Sequence, residues 1–165
     1  MSAPSLGQRA PLGAADLPDL DVQLAGTTYP LIAPGDYDAV GVGWRKMYVF
    51  KAHKLAVEYE VLVPDAAADL GLQRVRLARF YNVRPGPERR VLAAPRGDYL
   101  REWTIVAGRR PSRRDRLSPR IFVGVLVRVE VATVTVDSRQ HPLIDVLQYS
   151  RITRILERRA GGGKP

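Results

Sequence analysis

A chain of 165 residues with no Cys is long enough for one domain whose core needs no staple. The missing thiols exclude disulfides, thiolate nucleophiles and Cys-based zinc or iron-sulfur sites. The formal net charge of +9 points to an anionic partner, most often nucleic acid. The opening MSAPSLGQRAPLGAADLPDL has no charged-then-apolar leader pattern, and no apolar run approaches the roughly 20 residues that span a bilayer. A soluble, cytoplasmic protein without a membrane partner is therefore expected.

Residues 1 to about 34 are rich in Pro, Gly and Ala, lack periodicity, and read as a flexible arm ending in the turn Ala33-Pro34-Gly35-Asp36. Asp16, Asp19 and Asp21 make it mildly acidic, which suits a plain tail or a cover for a basic groove. Tyr37 to Phe50 reads as a first strand, with Val40, Val42, Trp44, Lys46, Tyr48 and Phe50 on one parity. Gly41 and Gly43 invite a bulge there. Leu55 to Leu62 alternates cleanly as a second strand. Pro64 to Gly71 is a turn, with Asp65 placed to cap it. Arg74 to Val83 is a third strand whose alternation slips near Ala78 and Arg79, the mark of a second bulge. Asn82 to Pro95 reads as a loop.

Gly97 to Gly108 clusters Tyr99, Leu100, Trp103, Val106 and Ala107 at helical spacing. Asp98 is the expected cap, Gly108 the left-handed terminator and Trp103 the core anchor. After an Arg-dense loop, Ile121 to Val136 reads as the longest strand, with Val123, Val125, Val127, Val129 and Val131 facing the core and Arg128 and Glu130 facing water. Val146 to Leu156 fits a final strand or a helix, and residues 158–165 read as a disordered tail. Three strands, a helix and two more strands is the order of a mainly β, five-stranded OB-like Greek-key barrel with its helix between strands three and four. An SH3-like barrel or an open sheet is the alternative.

The phrases PGDYDAVGVGW, KLAVEYEVLV, RLARFYNV, EWTIVAGRR, LSPRIFVGVLVRVEV and QYSRITRIL, in that order, resemble small OB-fold single-stranded DNA-binding proteins of phages and mobile elements, over about residues 35 to 156. The resemblance implies a non-enzymatic protein that holds DNA single-stranded during replication or recombination, with replication or recombination proteins as further partners. Many such proteins end in an acidic recruiting tail. This sequence ends Glu157-Arg158-Arg159 and GGGKP, so recruitment by a tail is not expected.

Holding a single strand takes a basic groove for phosphates and aromatic faces for bases. The expected nucleic-acid-binding residues are Trp44, Arg45, Lys46 and Tyr48 on the first strand, Lys51 and Lys54 in the hairpin, and Arg74, Arg76, Phe80 and Tyr81 on the third strand. Arg109, Arg110, Arg113, Arg114 and Arg116 in the loop and Arg128 on the long strand complete the set. Between Arg84 and Arg120 eleven Arg face four carboxylates. The loop from Arg109 to Arg116, with five guanidinium groups and one carboxylate, repels itself unless phosphates or an acidic protein surface lie against it, so a basic interaction protein docking on an acidic partner is the competing reading. His53 and His141 stand alone, without metal-ligand spacing. Asp36 with Asp38, and Glu58 with Glu60, place carboxylates two apart on strand faces, as a metal-dependent nuclease would. Alternating acids are also ordinary on a wet strand, and no metal, cofactor or catalysis is expected. Self-association through strand edges is left open.

Overall fold

The computed structural model describes residues 29–49 and 51–160. Most of the expected arm, Phe50 and the end of the expected tail lie outside the described residues. The strands are β1 (Gly35–Val49), β2 (Ala52–Pro64), β3 (Leu72–Pro85), β4 (Val91–Ala93), β5 (Leu126–Val134) and β6 (Tyr149–Arg158), with one helix, α1 (Asp98–Ala107), between β4 and β5. β1, β2, β3, β6 and β5 close a mixed barrel in that order, and β5 returns to β1. Every pairing in the barrel is antiparallel except β3 with β6, a short parallel seam at Arg79 and Ile152. This is the expected OB-like closure. The small strand β4 falls where a loop was expected, pairing Val91–Ala93 back onto Val83–Pro85.

β1 must pair with β2 on one side and β5 on the other, and its glycines make that possible. The register with β2 shifts between Gly41 and Gly43, the expected bulge, which increases strand bend and twist. At the same place the chain before β5 crosses β1: Gly124 N–H donates to the Gly41 carbonyl at 2.8 Å and Gly41 N–H to the Val125 carbonyl at 3.3 Å. A Cβ on Gly41 would lie 1.9 Å from the Phe122 carbonyl oxygen. This crossing shortens the long strand expected from Ile121. Pro119–Phe122 is instead a 3₁₀ turn capped by Ser118, and Gly124 takes φ +74°. Phe122 is fully buried, Val123 is 42 % exposed, and β5 begins only at Leu126. From there Val127, Val129 and Val131 enter the core as expected.

α1 closes one side of the core with Tyr99, Glu102, Trp103 and Val106, and Gly108 ends it in the left-handed conformation. Asp98 does not cap it; the N-cap is Gly97, with no side-chain bond. Trp103 is the core anchor, its Nε1 donating to the Ser118 carbonyl at 3.2 Å, while Tyr99 OH donates to the Leu117 carbonyl at 2.7 Å. The final segment is a strand. Its buried residues fall at Ser150, Ile152 and Ile155 because the β5–β6 register shifts twice. The fold also begins earlier than expected: Ser150 N–H donates to the Pro30 carbonyl at 2.9 Å, and Ile32 N–H to Ser150 Oγ at 2.8 Å. It ends later too, since Arg159 N–H donates to the Leu126 carbonyl at 3.0 Å.

The expected slip at Ala78 and Arg79 is not a bulge. β2 and β3 pair without interruption from Lys54–Asn82 to Pro64–Leu72, and the residue on the core face is Arg79 itself, 8 % exposed. Its Nε and Nη2 donate to the two oxygens of fully buried Glu102 at 3.0 and 2.9 Å, and Nη2 also to Asp98 Oδ2 at 2.9 Å. Tyr81 OH donates to Glu102 Oε2 at 2.6 Å. Burial, and then the Glu102 charge, push ionisation of the Tyr81 hydroxyl far upward, so it stays a neutral donor. Burial disfavours the Arg79 cation, but the bonds to Glu102 outweigh it and the group is held charged.

Removing one partner of a buried pair strands a charge, whereas replacing both need not be costly. Glu102→Leu should therefore cost about 3 to 5 kcal/mol in urea unfolding, and Arg79→Met plus Glu102→Leu clearly less than the sum of the two single changes. Additive losses would refute the pair. Gly41→Ala should lose about 1 to 3 kcal/mol or more through overpacking on the Phe122 carbonyl, while Gly43→Ala, where no atom lies within 4 Å of a Cβ, should lose less.

Candidate nucleic-acid interface

Residues directly opposite in a ladder share a face, and this divides the expected site residues. On the outer face, Arg45 stands opposite Ala56 and Ala56 opposite Phe80; Glu60 stands opposite Arg76, and Leu62 opposite Arg74. Trp44 stands opposite buried Val57, Lys46 opposite Leu55 and Tyr48 opposite His53, so these three project from the core face where β1 runs past the barrel end. Trp44 is 42 % and Tyr48 62 % exposed. Tyr48 packs on His53 at 4.8 Å between ring centroids, and Lys46 Nζ donates to the Arg89 carbonyl at 3.0 Å. Trp44, Lys46 and Tyr48 therefore do not converge with Arg45 and Phe80. Tyr81 belongs to the core, against Tyr99 and Phe122, and is only 3 % exposed.

The outer face is less basic than its Arg content implies. Arg45 pairs with Glu58 at 3.1 Å, and Arg74 and Arg76 with Glu60 at 3.3 and 3.8 Å. Arg128 lies farther round the barrel, sharing Asp38 with Arg159 at 3.4 and 3.2 Å. Of the acids that a nuclease would need, Glu58, Glu60 and Asp38 are thus paired with guanidinium groups, and among the described residues no three His, Asp or Glu side chains gather. Lys51 is exposed at the hairpin tip.

What the strands and α1 do build is a cleft of about 590 Å³ along the β3–β6 seam. Lys54, Phe80, Asn82 and Arg151 line it from the strands, Ala94, Gly97 and Asp98 from the approach to α1, and Arg79 also borders it. Phe80 is half-buried. Lys54 Nζ donates to Asn82 Oδ1, placing an ammonium and an amide together beside the ring. Arg151 makes no ion pair among the described residues. It escaped the sequence reading because the spacing of Ile152, Ile155 and Leu156 slightly favours a helix over a strand; only the β3–β6 seam brings it to Phe80. The cleft therefore offers a stacking face, two cationic heads and an amide able to donate and accept hydrogen bonds.

The Arg loop lies elsewhere. Arg109, Arg110, Arg113, Arg114 and Arg116 are all exposed. Arg113 is tied to Asp115 at 2.8 Å, which holds the Asp115 carboxyl below the usual carboxylate range. Arg114 lines a second groove, of about 530 Å³, with Arg96 and Arg101 over the outward side of α1. Gly97 lines both cavities. No described helix is long and apolar enough to cross a membrane. No protein-family model matches the chain, and comparison with curated proteins and with solved structures found no match.

Proposed function

We propose that this protein binds single-stranded DNA, without catalysis, and keeps the strand open by mass action during replication or recombination. The observation that carries the reading is the seam cleft, where Phe80, Lys54, Asn82 and Arg151 meet on the outside of a closed OB-like barrel. A base stacks on Phe80 while Lys54 and Arg151 meet the phosphates to either side. The outer-face Arg45, Arg74 and Arg76 extend the track, because their ion pairs are exposed and such pairs hold only weakly. A cleft whose least buried ring is Phe80, with Tyr81 and Tyr99 in its wall, suits a splayed strand, whose bases are free to enter it; a duplex keeps its bases inside.

Anisotropy of a labelled oligonucleotide is the suitable measurement, since Trp103 is buried and Trp44 faces away from the cleft. The single strand should bind more tightly than its duplex, with affinity falling as salt rises. Lys54→Glu with Arg151→Glu should flatten the salt dependence by about 0.7 in slope for each phosphate left without its cation. Phe80→Ala should cost about 1 to 3 kcal/mol, roughly 5- to 150-fold. Equal affinity for duplex, or no binding at low salt, would overturn the reading.

A further inference from the structure

The groove over α1 differs in chemistry from the seam cleft. Pro95, Leu100 and Ile105 give it an apolar floor, and Arg96, Arg101 and Arg114 stand round it. No aromatic ring lines it, so it gives bases nothing to stack on. An apolar floor ringed by guanidinium groups instead fits aliphatic side chains set among carboxylates. Arg101 already shares Asp98 and Glu102 at 3.0 and 3.3 Å. Arg96 and Arg114 make no ion pair among the described residues.

The sequence holds a stretch of complementary chemistry, Asp16-Leu17-Pro18-Asp19-Leu20-Asp21-Val22, in which three carboxylates alternate with aliphatic residues and no cation intervenes. Its tether is anchored close by. Tyr29 packs on Tyr149 at 5.2 Å, and Pro30 and Ile32 are bonded to Ser150. The next residue, Arg151, lines the seam cleft with Gly97, and Gly97 lines the groove. Asp21 precedes Tyr29 by eight residues, a span of up to about 28 Å when extended. We propose that the groove over α1 is the docking site of this chain's own segment Asp16–Val22, with Leu17 and Leu20 on the apolar floor and the three Asp against Arg96, Arg101 and Arg114. The assignment stands on groove, segment and anchor, and does not require the nucleic-acid reading.

The full chain allows a direct test, because it has no Cys and Ala14→Cys creates one labelling site. A spin label there should erase the methyl resonances of Leu100, Thr104 and Ile105 at low ionic strength. The signals should return in high salt, in the Arg96→Glu plus Arg114→Glu variant, and when Asp16, Asp19 and Asp21 are all changed to Asn. Both sets of changes replace exposed groove cations or lie in the arm, so an unchanged amide spectrum for the barrel checks that the fold survives. Undisturbed methyl signals in the labelled wild-type chain would overturn the proposal. So would broadening found in a mixture of spin-labelled and isotope-labelled chains, which would place the segment on another copy. Neither result depends on whether the protein binds DNA.

Discussion

Arg79 is the residue on which barrel, helix and cleft all converge. Its backbone is the β3 member of the parallel seam with Ile152 that closes the barrel. Its guanidinium holds α1 through Glu102 and Asp98, and it borders the cleft where Phe80 and Arg151 meet. A buried ion pair is weak evidence for net stability, because two charges must be desolvated. Its value here is directional. A bidentate guanidinium–carboxylate fork fixes both distance and plane, so α1 is held at one rotation against β3, whereas an apolar contact would tolerate sliding. Tyr81 fills a remaining acceptor site on Glu102 and packs against Arg79, whose Cζ lies 4.9 Å from its ring centroid. The charged cluster is thereby enclosed by aromatic surface.

The positive charge of the chain is distributed by the same logic. Apart from Arg151 in the cleft, most Arg residues on the outer faces of the strands meet a carboxylate on a neighbouring strand: Arg45 and Glu58, Arg74 and Arg76 with Glu60, Arg154 and Glu130, Arg128 and Asp38. Exposed pairs of this kind contribute about 0 to 1 kcal/mol each, so a phosphate can take the guanidinium at little cost. Around α1 the balance changes. Arg96, Arg109, Arg110, Arg114 and Arg116 have no ion-pair partner among the described residues, and the cationic excess between Arg84 and Arg120 is concentrated there. The molecule therefore carries a nearly compensated β face and an uncompensated helical side.

Much of the architecture was legible in the sequence because strand alternation, the glycines of β1 and the Gly108 terminator each report a local constraint. The departures came where tertiary contacts set the pattern. Arg79 broke the apolar alternation of β3 because its partner, Glu102, lies on another element and cannot be seen in a strand's own period. Val123 kept a strand parity that the Gly41 crossing cancels. Ile152 and Ile155 imitated a helix because register shifts against β5 add a residue between buried positions. For the candidate site, residues expected on one surface fall on two faces. Trp44, Lys46 and Tyr48 share a strand with Arg45, but the pleat separates them from it, and the β1 bulge carries them past the barrel end. Arg151 reaches Phe80 only through the parallel seam, the least local pairing in the fold.

The two cavities are joined by one carboxylate. Asp98 Oδ2 accepts from Arg79, which borders the seam cleft, and Asp98 Oδ1 accepts from Arg101, which borders the groove, at 2.9 and 3.0 Å. On the two proposals above, an anion that drew Arg101 into the groove would leave Asp98 to Arg79 alone, and a phosphate in the cleft would compete with Asp98 for Arg79. Opposing demands on a shared counter-charge would couple the two cavities negatively, equally from either side. Asp98 stands at the start of α1, next to the Gly97 that both cavities share. The residue that local sequence marked as a helix cap thus gives its carboxylate to Arg79 and Arg101, one from each cavity, and not to the helix N-terminus.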